Sequence, residues 1–246
     1  MPRTPLTHDP ANSRVDTVGS TAATSRALGT FVAIDFETAS ARHDSACAVG
    51  VAACCSGRVV LSRTYLIRPP TGQFTFTDVH GLDWEAVRSA PTFAELWPTL
   101  RAWIAGAAFV AAHNASFDRS VLHACCARYR LPPPRTGFVC TVQLARAQWG
   151  IRPTKLPDVC RRLGIPLRHH DAEADAVACA RIVLAAETDG WRPGKHRARR
   201  RTTRAIVRVA RSTAGSRSAD RRYWKSFQHL LRTWWRRLRH GITVRL

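Results

Sequence analysis

Phe31-Val32-Ala33-Ile34-Asp35-Phe36-Glu37-Thr38 decides the fold. A short apolar run leads into two acids spaced two positions apart. Strand side chains alternate, so Asp35 and Glu37 project from one face of one strand. Two carboxylates side by side repel each other and weaken an ordinary core strand. A divalent cation between them removes the conflict, because hard oxygen ligands suit Mg²⁺ or Mn²⁺. Taken alone, the pair also fits a solvated edge strand with its acidic side in water.

Residues 46–55 and 58–67 read as two further strands, with Ser56-Gly57 between them as a hairpin turn. Three successive strands suggest an antiparallel meander, which Arg68-Pro69-Pro70-Thr71-Gly72 breaks. Residues 73–90 read as loop and contain His80-Gly81-Leu82, either a turn or a wall of a substrate cleft. Thr92 and Glu95 are spaced as a capping box ahead of a helix whose stripe is Phe93, Leu96, Leu100 and Ile104. Residues 107–112 read as a short buried strand. It runs into His113-Asn114-Ala115-Ser116-Phe117-Asp118 and then a helix carrying Val121, Leu122 and Cys125. By itself, Asp118 reads as an acid favouring the positive end of a helix capped by Asn114 or Ser116.

Pro132-Pro133-Pro134 closes that unit. Phe138-Val139-Cys140 is a brief strand, and Thr141 is placed to cap a helix reaching Trp149. A helix over 155–163 stops at Gly164. His169-His170-Asp171-Ala172-Glu173-Ala174-Asp175 then enters an apolar helix extending to about Ala186. Asp171 and Glu173 fit first-turn acids that answer the helix dipole.

Charge divides the chain. The net charge is +21, but residues 191–246 hold 18 of the 38 Lys and Arg and one of the 17 Asp and Glu, a net +17. Residues 1–190 carry only +4. Residues 1–28 are rich in Pro, Ser, Thr and Ala without periodicity and read as a disordered leader. Residues 189–246 form an Arg/Trp-rich basic tail in which Trp224, Phe227, Leu231, Trp234 and Leu238 share one side of an amphipathic pattern. Such a tail is compatible with phosphate neutralisation and base stacking, with an anionic membrane surface, with plain disorder, or with a shifted reading frame. The eight cysteines have no zinc-type spacing, and no apolar run approaches a membrane span or a signal peptide. The expectation is a cytoplasmic protein with reduced thiols and no integral membrane segment.

Jointly, the acids say more than each does alone. A D-x-E pair on the first strand, an Asp after H-N-x-x-F and an Asp closing H-x-x-x-x-D occur in this order. That order resembles the DEDDh (DnaQ-like) 3′–5′ exonucleases, the family of the proofreading epsilon subunit of DNA polymerase III. The resemblance covers residues 30–187 and stops before the basic tail; His80-Gly81-Leu82 and Cys140-Thr141 are further family-like features. It implies an exonuclease domain over 29–188. The implied fold is α/β and RNase H-like, a mixed five-stranded sheet with helices on both faces.

By the same resemblance, two Mg²⁺ or Mn²⁺ ions are held by Asp35, Glu37, Asp118 and Asp175. Asp35 bridges both ions, Glu37 and Asp175 complete the nucleophile-side site, and Asp118 supports the second ion. Two metals suit phosphodiester hydrolysis because they stabilise both the attacking and the leaving oxygen. The H-x-x-x-x-D count selects His170 over His169 as general base, a role imidazole suits near neutral pH. Phe36, Thr38, Asn114 and His80 are implied to contact the terminal nucleotide. The implied partner is nucleic acid, DNA 3′ ends first, with a DNA polymerase or repair complex as wider context. An exoribonuclease acting on short RNA, or a non-catalytic nucleic-acid-binding module on the same fold, are the competing readings.

Overall fold

The quoted stretch forms β1 (Phe31–Thr38) of a computed structural model that describes residues 30–193. The leader assigned to 1–28, and the basic tail from residue 194 onward, lie outside the described residues. β2 (Ala46–Cys55) and β3 (Arg58–Leu66) follow β1 as the expected antiparallel meander. Ser56 and Gly57 both have positive φ, 53° and 77°, which is the twist a tight two-residue hairpin needs. β4 (Val110–Ala112) and β5 (Phe138–Cys140) add in parallel on the other side, giving the order β3-β2-β1-β4-β5. The sheet is mixed and five-stranded, as expected.

Alternation along β1 sorts the two layers. Val32, Ile34 and Phe36 point into a core built with α3 (Phe93–Ala105) and α4 (Ala115–Arg128). Phe31 and Ala33 point the other way, toward α5 (Thr141–Trp149), α6 (Leu156–Leu163) and α7 (Ala172–Thr188). Asp35 and Glu37 share the parity of Phe31 and Ala33, and so face the α7 layer.

That layer is thin because its side chains are small. β2 is built largely of Ala, Cys, Val and Gly, and α7 buries Ala172, Ala176, Ala178, Cys179 and Ala180. Contact is tightest at Gly50, the register partner of Asp35. A Cβ built there would lie 1.8 Å from the carbonyl oxygen of Ala172. Helix backbone therefore rests directly on strand backbone beside the acidic pair.

Several local expectations change in the structure. Residues 73–90 are not plain loop but hold two single-turn helices, α1 (Thr77–His80) and α2 (Trp84–Val87). The Thr92–Glu95 capping box forms in full. The strand expected over 107–112 pairs only from Val110; before it, Phe109 stacks on Phe31 at 4.9 Å and the Ala108 N–H donates to Thr30. Asn114 occupies the N-cap of α4 in a left-handed conformation without a side-chain cap bond, and Ser116 lies inside the helix. Thr141 is the first residue of α5 rather than its cap. The packed unit runs past residue 188: Trp191 meets Phe109 edge-on at 6.2 Å, and its N–H donates to Ala186. All eight cysteines are free thiols, six of them buried. No helix among the described residues is long and apolar enough to cross a membrane.

Gly50→Ala is expected to lower the unfolding free energy by about 2 kcal/mol, within the range for overpacked interiors. Urea denaturation measures this. A midpoint equal to wild type would show that the strand and helix backbones are not in contact.

Candidate active site

The parallel strands β1, β4 and β5 all end at the same edge of the sheet, where the open side of such sheets gathers functional groups. β1 delivers Asp35 and Glu37 there. β4 delivers His113 and, through the start of α4, Asp118. β5 delivers Thr141, and α7 comes across the sheet with Asp175.

Asp118 is held by a vacancy in the sheet. β1 pairs with β4 only at Val32 and Ala33, so Phe36 lies beyond the end of that ladder. The Phe36 N–H donates instead to Asp118 Oδ1 at 3.0 Å. Asp118 is 1% exposed and Asp175 3% exposed.

Electrostatically the site is a concentration of like charge. Burial, followed by Asp118, Glu37 and Asp175, pushes the Asp35 carboxyl well above its ordinary range. Burial and then Asp175 push Glu37 up to about 7. Asp118 also rises to about 7 through burial, opposed by the N–H bond from Phe36. Burial raises Asp175, and His169 opposes it. One oxygen of Asp175, Oδ1, is buried with no hydrogen-bond partner.

These observations fit a hard divalent cation. Four crowded carboxylates whose charged forms are disfavoured, one with an orphaned buried oxygen, lack only positive charge. Oxygen donors of this kind suit Mg²⁺ or Mn²⁺. Among the described residues no three such side chains close into a ready-made metal cage. Cys179 lies in the field of Asp35, Asp118 and Asp175, but burial first, and then those acids, keep its thiol protonated.

The two histidines before α7 are placed differently from each other. His169 Nδ1 bonds Asp175 Oδ2 at 2.8 Å, and the backbone N–H of His170 donates to the same oxygen at 3.2 Å. His170 has φ +67°, and the two rings stack with centroids 3.9 Å apart. Both histidines are exposed, and it is the His169 ring that grips the acid. Sequence spacing alone did not show that grip. Asp171 caps α7 by accepting from the Ala174 N–H, and it pairs with Arg168.

Two residues expected at the substrate are turned elsewhere. The Phe36 ring packs in the core against the opposite face of the sheet, so its contribution to the site is its N–H. His80 accepts from the Leu82 N–H at Nδ1, 3.1 Å, which leaves Nε2–H to donate to the Thr38 carbonyl at 3.1 Å. With both nitrogens committed, His80 ties the segment after β3 to the end of β1. Thr38 is buried at that junction, and Asn114 is exposed beside Asp118. His113, which the sequence marked only as part of its motif, proves to be a brace: Nδ1 meets the Thr141 hydroxyl and Nε2 the Thr154 carbonyl, each at 2.8 Å. Its place directly after a buried strand was the available signal.

A profile of the exonuclease family typified by RNase T matches residues 32–183, well over half of the chain. The chain belongs to this exonuclease family. Its mixed five-stranded sheet is the RNase H-like fold expected of that family. Among its curated relatives are proteins described as DNA polymerase III PolC-type. The one from Thermotoga petrophila is 27% identical over 159 residues, and the one from Streptococcus thermophilus 29% over 161. Each match takes in 63% of this chain but only 12% and 11% of the respective relative. Similar solved structures include exonuclease X in complex with 5′-overhanging duplex DNA (TM-score 0.55, 21% identity, covering 73% of this chain and 98% of that one). The nuclease domain of 3′hExo, a DEDDh family member bound to rAMP, gives a TM-score of 0.59 at 18% identity, covering 66% and 93%. Those two likenesses speak for the fold.

The raised carboxyls have a thermodynamic consequence. Between Glu37's ordinary 4.5 and its folded value of about 7, the folded state binds more protons than the unfolded chain. Metal-free protein is therefore expected to lose stability as pH rises from about 5 to about 8, most steeply between the ordinary and the folded value. Urea midpoints in EDTA across that range would show it, and Glu37→Gln would flatten the trend. A wild-type midpoint that climbs over the same range would contradict the crowding.

Proposed function

We propose that this domain hydrolyses single-stranded DNA from its 3′ end by a two-metal mechanism with His170 as general base. The observation carrying the reading is the meeting of four crowded carboxylates from three distant segments, Asp118 and Asp175 buried and Asp35 and Glu37 partly so, one of them with an orphaned oxygen. Asp35, Glu37, Asp118 and Asp175 would hold two Mg²⁺ or Mn²⁺ ions, Asp35 serving both. When bound, such ions supply the positive charge that activates a water and stabilises the departing oxygen.

The chain's own residues do the rest. Asp35 and Glu37 are fixed on a rigid strand, so their carboxylates keep one geometry. The Phe36 N–H holds Asp118, and His169 together with the His170 N–H holds Asp175. His170, exposed at the rim, takes the proton from the water that attacks phosphorus. The bond from phosphorus to the 3′ oxygen of the preceding nucleotide breaks, leaving a new 3′ hydroxyl and a nucleoside 5′-monophosphate. Thr38 and Asn114 flank the acids and would contact the terminal nucleotide. A DNA polymerase or repair complex is the proposed wider context, and the cytoplasm the proposed compartment.

A 5′-labelled single-stranded DNA digested with Mg²⁺, Mn²⁺ or EDTA tests the reading. Wild type is expected to produce a ladder shortening from the 3′ end, lost with EDTA. Asp35→Ala should abolish cleavage while leaving DNA binding, and His170→Ala should slow it by about 10²-fold or more, the scale of general-base removal. A greater loss in His169→Ala would move the base to that residue. Cleavage of an RNA oligonucleotide in preference to DNA would make the enzyme an exoribonuclease, and silence on both would leave a binding module.

A further inference from the structure

Asp175 reaches the site from the far end of the domain. Unlike Asp35 and Glu37, it is not placed by the strand that carries them; its position depends on how the first turn of α7 docks on the sheet. The first contact is vertical. Gly50 lies beneath Ala172, where a Cβ would sit 1.8 Å from the Ala172 carbonyl oxygen and 2.7 Å from the Glu173 nitrogen. The second is lateral. Ser62 of β3 donates its hydroxyl to Glu173 Oε1 at 2.6 Å, across 111 residues of sequence.

The two contacts are in register. Ser62 is the partner of Ala52, which shares a face of β2 with Gly50, and Gly50 is the partner of Asp35. Glu173, which sequence reading assigns to the helix dipole, is thus spent on the sheet instead. Height over the sheet and position across it are both fixed one turn or less from Asp175.

We propose that Ser62 and Gly50 are positioning residues for the metal centre. By indexing the first turn of α7 they set the distance of Asp175 from Asp35, and with it the affinity for divalent cations. The inference rests on the reading that the four carboxylates hold such cations. Neither residue touches a reacting atom. Ser62 acts through Glu173 and the helix turn; Gly50 acts by having no side chain.

Gly50→Ala is the blunt variant and can disturb folding, so Ser62 carries the test. Mn²⁺ binding to the full chain is measured by titration calorimetry for wild type, Ser62→Ala, Ser62→Thr and Asp35→Ala. Backbone hydrogen exchange over the start of α7 is followed in parallel. Ser62→Ala is expected to weaken Mn²⁺ binding about tenfold, the scale seen when an outer-shell partner is removed. Ser62→Thr, which keeps the hydroxyl, should restore it. Val183→Ala, buried farther along α7, should lower the melting temperature without changing Mn²⁺ affinity, which separates positioning from stability. Wild-type affinity in Ser62→Ala would overturn the proposal. Should wild type bind no Mn²⁺, or Asp35→Ala bind it equally well, the metal reading itself fails. Exchange then decides the docking role: faster exchange at Ala174 and Asp175 in Ser62→Ala supports it, and unchanged exchange overturns it.

Discussion

Mutual repulsion among Asp35, Glu37, Asp118 and Asp175 is the constraint around which the rest of the domain is arranged. A fold free to optimise stability would not gather four acids, two of them buried, within one another's field. Here several elements that end at that edge of the sheet hold them there. The strand holds two by alternation, a strand N–H left over by the short β4 holds the third, and a histidine pair holds the fourth. The stability forgone is recovered from the apolar layers on either side, where Phe31, Val32, Val110, Leu122 and Ile182 are almost wholly shielded from water.

Size selection in the α7 layer follows from the same constraint. Bringing Asp175 to a strand requires the helix axis to approach the sheet closely. That favours small side chains on β2 and on the first turns of the buried face of α7, while Ile182 and Val183 are accommodated farther along the helix. The alanine, cysteine and glycine content of these two segments is thus a distance requirement written as composition. The opposite layer, whose α4 delivers Asp118 from its first turn, is built with larger side chains, among them Phe93, Trp97, Leu100 and Trp103.

What could be read from the sequence divides along physical lines. The alternation in β1, the Ser56-Gly57 hairpin and the Thr92–Glu95 box were legible because each depends on residues close together in the chain. The order of the acids was legible because it repeats a known family pattern. Contacts between segments far apart were not: Gly50 with Ala172, Ser62 with Glu173 and His113 with Thr154 leave no periodicity to detect. Nor was the bond from the His169 ring to Asp175, made beside a His170 in left-handed conformation. Phe36 was misplaced for a simpler reason. It adjoins both acids in sequence, yet strand alternation turns it into the core, and that same alternation was the first thing the stretch revealed.

The thiols give the domain one more property. Cys47 and Cys125 are pushed up to about 12 by burial, and Cys126 and Cys160 to about 11. Only thiolate reacts with alkylating or oxidising reagents, so these sulfurs are nearly silent while the fold is closed. They lie in both layers of the core, on β2, α4 and α6. Any opening that admits water restores ordinary thiol reactivity at the place that opened. The molecule thus carries internal reporters of its own breathing, and the order in which the cysteines become labelled is a map of which layer separates first.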